Sequence, residues 1–239
     1  MGERFEFKRP DGKSCPGYLA TPSAGAANAP PADGGANAPG VVVVEEWWGV
    51  TPQIMQVADD LAARGYRALV PDLYRGRTAA VGDEANHLME GLDFGDAATQ
   101  DVRGAVLELK KNGAKVAVLG FCMGGAIAVL AGMYVAETDA IVPFYGFPPP
   151  EAGDPSRIRC PVLAHAARQD EFFKPEAVEA FEEKLRAGNV QHELHWYDAG
   201  HGFTNPMPVG QAGLGHYDEA AAKQAWDRTY AFLDRVLKS

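Results

Sequence analysis

Three side chains have the types and the spacing to attack a carbonyl and relay a proton: Cys122, Asp170 and His201. Cys122 is the centre of Gly120-Phe121-Cys122-Met123-Gly124, between an apolar run at 115–119 and a helical pattern at 124–136. A nucleophile on such a strand-to-helix turn needs small residues two positions away on either side, because the backbones pass closely there. The turn also sets the sulfur over a helix N-terminus, whose free N–H groups favour negative charge. The partners follow in the order this arrangement requires, acid and then histidine. Asp170 comes directly after an apolar run at 162–167, and His201 comes after the next, in Ala199-Gly200-His201-Gly202-Phe203. Glu171 and Asp198 are rival acids.

Each residue also has a bland reading: a buried thiol at a glycine turn, a capping carboxylate and a surface-loop histidine. The strand-end placement and the order along the chain argue against all three. The other histidines have less to offer. His192 and His195 are three apart on a strand, hence on opposite faces, and make no metal pair. His165 lies inside a strand and reads as packed core, while His87 and His216 are in loops that could border a pocket. Cys160 precedes a strand and Cys15 has no chemistry around it. Three scattered cysteines without CxxC pairs read as reduced thiols, and hence as a cytoplasmic protein. No metal site or cofactor motif is evident, so neither is expected.

Positioning these side chains takes strands that alternate with helices. Strands are expected at 4–7 and 18–20, joined by the turn Arg9-Pro10-Asp11-Gly12. Residues 22–40, rich in Ala, Gly, Pro and Asn, read as a flexible surface loop. The four valines at 41–44 are continuous rather than alternating, as a strand covered on both faces requires. Helix then follows at 52–64, strand at 67–70, helix at 100–112 and strand at 115–119. Next come helix 124–136, strands 140–145 and 162–167, helix 175–187, strand 193–197 and helix 218–237. This is an α/β fold with a mostly parallel central sheet and helices on both faces, in one domain spanning 1–239.

Composition narrows the function. The chain has 239 residues, 46% of them hydrophobic, enough to bury a substantial core. A net charge of −10 would be repelled by a phosphate backbone, which excludes a nucleic-acid partner. No run approaches the roughly 20 apolar residues of a membrane span.

With these residues in place the sequence resembles the dienelactone hydrolase (carboxymethylenebutenolidase) family of the α/β-hydrolase superfamily. The resemblance runs from Arg4 to Phe232. It rests on Glu45-Glu46-Trp47-Trp48-Gly49-Val50, Pro71-Asp72-Leu73-Tyr74, the Cys122 motif with Gly125, Gln169-Asp170, and His195-Trp196-Tyr197 leading into His201. It implies Cys122 as nucleophile, His201 as base and Asp170 as the acid that orients it. It implies an oxyanion hole built from the N–H groups of Met123 and Trp47. It also implies a second carboxylate, Glu46, or Glu45 if the register slips by one. A carboxylate beside the sulfur would disfavour thiolate, so the resting thiol is expected to be bonded to Glu46 until substrate displaces it.

The sequence departs from the family where a substrate carboxylate is held. The first of two arginines should fall at Gly76, which Arg75 and Arg77 flank, and the second at Asn205. An amide cannot give the charge-assisted grip of a guanidinium, so dienelactone itself is in doubt. Trp47, Trp48, Tyr145 and Phe172 suggest aromatic walls suited to neutral esters, aryl esters or lactones, and 78–95 suggests part of a lid. The expected partner is a small-molecule ester or lactone, taken by a monomer or weak homodimer. Alternatives on the same triad are a broad esterase, a thioesterase or a phosphotriester hydrolase. A thiol sensor without catalysis is the reading from another class.

Overall fold

A computed structural model describes residues 1–22 and 37–238. Most of the stretch expected as a loop, 22–40, lies outside the described residues. Strands β1 (Glu3–Lys8), β2 (Ser14–Ala20), β3 (Gly40–Val44), β4 (Arg67–Pro71), β5 (Val116–Phe121), β6 (Ala140–Phe144), β7 (Val162–Gln169) and β8 (His192–Gly200) form one sheet. Their order is β1-β2-β4-β3-β5-β6-β7-β8. β2 is antiparallel to both of its neighbours, and every pair from β4 to β8 is parallel. This is an α/β-hydrolase fold.

The valine run shows why the sheet is buried on both sides. Val42 and Val44 enter the cluster built on α4 (Arg103–Leu109), α5 (Met123–Tyr134) and α6 (Pro175–Ala187). Val41 and Val43 enter the other, built on α1 (Pro52–Ala63) and α7 (Glu219–Leu237). Successive side chains of a strand point to opposite faces, so a strand between two helical layers must be apolar throughout. Among the described residues no helix is long and apolar enough to cross a membrane.

Two local features differ from expectation. The segment 78–95 contains α2 (Gly82–Glu90), which buries Ala85 and Leu88 beside the site. With two buried side chains its periodicity is too faint to read. The helix expected at 100–112 begins earlier and unevenly: α3 (Phe94–Asp96), a π-helical stretch Ala97–Val102, then α4 and a 3-10 turn. Arg9 explains the anchoring, bonding Asp96 at 2.8 and 2.9 Å and Asp101 at 3.2 Å.

Candidate active site

β5 delivers Cys122 and α5 starts immediately after it. Cys122 takes φ 52° and ψ −118°, a conformation that L side chains rarely adopt. The surroundings enforce it: the Cys122 N–H donates to the Phe144 carbonyl at 3.0 Å, tying the elbow to β6. A Cβ at Gly120 would lie 2.0 Å from the Gly124 carbonyl oxygen, and one at Gly146 would lie 1.8 Å from that of Cys122. The need for Gly120 was legible from the motif. Gly146 was not, because its contact comes from a different strand.

β7 ends one residue before Asp170 and β8 one residue before His201. Asp170 Oδ1 accepts the N–H groups of Phe172 (2.8 Å) and Phe173 (2.9 Å). That leaves Oδ2 to accept from His201 Nδ1 at 2.9 Å, with both side chains almost wholly buried. Nδ1 therefore carries the proton, which leaves Nε2 for Cys122, whose side chain is close enough to act on the imidazole. Burial by itself lowers the imidazole's proton affinity. The influence of Cys122 and Asp170 outweighs it and raises the pKa above the ordinary value. Three rings box the imidazole: Tyr145 and Phe172 edge-on at 5.2 and 4.8 Å, and Phe173 stacked at 5.7 Å. The rival acids lie apart from it. Asp198 accepts from Gln169, and Glu171 is a half-exposed neighbour of His216.

Glu46, not Glu45, enters the cleft. Its Oε2 accepts from Asn205 Nδ2 at 2.6 Å and its Oε1 from the Tyr145 hydroxyl at 3.3 Å. Burial pushes its pKa up to about 7, against the lowering effects of His201, Asn205 and Tyr145. The expected bond between Cys122 and Glu46 is absent from this arrangement. Asn205 and Tyr145 hold the carboxylate, and Cys122 acts on His201.

The cleft is lined by Glu46, Trp47, Trp48, Cys122, His201, Gly202, Asn205 and Leu214. Met123 opens α5, where an N–H has no intrahelical acceptor, and Trp47 lines the cleft. Neither candidate for the first arginine lines the cleft. Arg75 bonds Asp101 through both carboxylate oxygens at 2.8 and 2.9 Å, and Arg77 donates to the Tyr74 carbonyl at 3.2 Å. Asp101 is buried and needs a cation, which is why Arg75 turns inward. Tyr145 lies beneath the cleft rather than in its wall, and Phe172 covers His201 while staying half exposed.

Sequence reasoning missed Thr204, Phe173 and Leu214. Thr204 shares a hydrogen bond with the Tyr145 hydroxyl at 2.6 Å. Its place between Phe203 and Asn205, in the loop after the histidine, was the available signal.

The model of the dienelactone hydrolase family matches residues 24–237. "Protein usf" of Aquifex pyrophilus is 32% identical, over 99% of this chain and 100% of its own. The carboxymethylenebutenolidase of Rhodococcus opacus is 29% identical over 82% of this chain and 81% of its own. A crystal structure of a dienelactone hydrolase-like promiscuous phosphotriesterase from metagenomic libraries superposes with a TM-score of 0.83. It is 24% identical and is covered over 98% of its chain, against 99% of this one. The chain thus belongs to the dienelactone hydrolase family, whose members are ester- and lactone-cleaving enzymes.

Proposed function

We propose that the protein hydrolyses neutral carboxylic esters or lactones through an acyl-enzyme on Cys122. One observation carries this reading. The Asp170–His201–Cys122 chain opens into a cleft whose polar end holds a carboxyl group and, among the described residues, no arginine or lysine. Asn205 has no donor left for substrate. Its two amide hydrogens go to Glu46 and to the Ala212 carbonyl, and its oxygen accepts from the Met207 N–H.

In the cycle, the Cys122 thiolate adds to the carbonyl carbon, and the oxyanion is met by the Met123 and Trp47 N–H groups. Each such donor is worth on the order of 10²–10³ in rate. Collapse breaks the C–O bond, and His201 gives its Nε2 proton to the leaving alkoxide, which stays tethered if the substrate is a lactone. His201 then takes a proton from water, hydroxide adds to the thioester, and the carboxylic acid leaves with Cys122 regenerated. Asp170 keeps the imidazole in its tautomer throughout. Glu46, ionised above about pH 7, sets the charge the substrate meets.

The test is kcat/KM for p-nitrophenyl acetate beside a dienelactone that bears a carboxylate. The neutral ester should win, and a clear preference for the lactone would refute the neutral-substrate reading. A neutral phosphotriester suits the same cleft, and paraoxon in the same panel tests that second reading. The three free thiols fit a reducing compartment such as the cytoplasm.

A further inference from the structure

Glu45 was only a fallback for Glu46, and the structure gives it a different setting. It is completely shut off from solvent, and neither of its carboxyl oxygens has a hydrogen-bond partner among the described residues. The Leu73 N–H is near enough to favour its charge but closes no bond of normal geometry. One other orphan lies close by. Asp72 Oδ1 is also buried and unpartnered, while its Oδ2 accepts the Gly76 N–H at 2.7 Å.

The sheet register puts these orphans together. β3 and β4 run in parallel with Gly40 beside Arg67, Val41 beside Ala68 and Val42 beside Leu69. Carried three residues past the last paired level, the same offset sets Glu45 level with Asp72, and Asp72 is the charge that acts most strongly on Glu45. Side chains at one register level of a parallel pair leave the same face. Two ionised carboxyls there would repel each other in a dry setting, and three acceptor atoms would face no donor.

The charges packed around the pair do not resolve this. Arg75 is the nearest cation, but its guanidinium is spent on Asp101, the Asp72 carbonyl and the Cys15 sulfur. Arg9, beyond it, is taken by Asp96, Asp101 and Asp11. Tyr74 sends its hydroxyl to Met123 Sδ instead. Asp101 adds further negative charge. What the pair lacks is a proton.

We propose that Glu45 is a neutral carboxylic acid whose O–H donates to Asp72 Oδ1, tying the exit of β3 to the exit of β4. The proton resides on Glu45 because Glu45 is the more deeply buried partner, while Asp72 keeps its charge against the N–H groups of the turn at 74–76. No covalent bond changes in this pairing. Glu45 is a positioning residue. The β3 exit leads straight into Glu46 and Trp47, and the β4 exit into Tyr74, which touches Met123. One shared proton therefore braces both sides of the cleft.

The sign of the pH effect follows from linkage. An acid that keeps its proton in the folded chain but releases it when unfolded favours folding fully below its unfolded pKa. That advantage is lost as pH rises. Glu45→Gln keeps a donor and cannot ionise. Its Tm should therefore gain on wild type from about pH 5 to about pH 8, by about 4 °C or more. Parallel Tm curves over that range would overturn the proposal. A second measurement needs no substitution at Glu45. In Glu46→Gln protein at about pH 8, where exposed carboxyls are ionised, the infrared spectrum should keep the C=O stretch of a neutral carboxyl. No such band, or a band that persists in Glu45→Gln/Glu46→Gln protein, would overturn the assignment. Neither readout depends on what the site hydrolyses.

Discussion

Asn205 Nδ2 lies 2.6 Å from Glu46 Oε2, so a neutral amide, not a cation, holds the carboxyl group that lines the cleft. Asn205→Arg should reverse this. A guanidinium there would lower the Glu46 pKa and offer charge to a substrate carboxylate. A charged hydrogen bond of ~1.5–3 kcal/mol should shift kcat/KM toward the carboxylate-bearing lactone, relative to a neutral ester, on the order of 10-fold or more. An unchanged ratio would mean that Asn205 does not set substrate charge.

Glu46 should leave its mark on stability as well. Its folded pKa is raised from 4.5 to about 7 by burial, so the stability it confers is complete below pH 4.5 and lost as pH rises through 7. Glu46→Gln should gain on wild type across that window, by at most roughly 3 kcal/mol. Urea unfolding at several pH values measures it. A gain confined to acid pH would contradict the sign.

The elbow makes a steric prediction. Gly146→Ala drives a methyl to 1.8 Å from the Cys122 carbonyl oxygen, which the backbone can relieve only by moving Cys122. Thermal unfolding and ester turnover should both show it, with about 3 kcal/mol or more lost and activity down by orders of magnitude. Gly210→Ala is the control: φ is +79° but no atom lies within 4 Å, so only about 1 kcal/mol of backbone strain should appear.

Much of this was legible in the sequence and some was not, for physical reasons. The valine run and the glycine-flanked cysteine are local patterns. Burial on two faces and a crowded turn leave their signature at the positions themselves. What a side chain chooses as partner is a tertiary matter. Arg75 and Arg77 flank the expected position equally, and only the buried charge of Asp101, 26 residues on, decides where Arg75 goes. The bond from Asn205 to Glu46 spans 159 residues, so no spacing rule could have replaced Cys122 with Asn205 as the partner of Glu46.

His165 provides a separate test of the packed-core reading. Thr229 Oγ1 donates to the Ala225 carbonyl at 2.8 Å, so it must accept from His165 Nε2, and His165 Nδ1 accepts from the Tyr197 hydroxyl. This neutral imidazole is buried and its pKa is held well below 6.5. A depressed histidine makes folding less favourable as pH falls below its unfolded value. His165→Gln should therefore narrow its stability deficit against wild type between about pH 7 and about pH 5. A deficit that widens on acidification would show that His165 is charged in the fold.

The most direct test of the central claim is intact-mass analysis of the protein quenched during turnover of p-nitrophenyl acetate. It should be paired with steady-state rates for Cys122→Ala. The predicted result is one added acetyl group, mapped to the peptide carrying Cys122, and a variant with neither adduct nor turnover. An adduct on another residue, or hydrolysis retained by Cys122→Ala, would contradict Cys122 as the nucleophile.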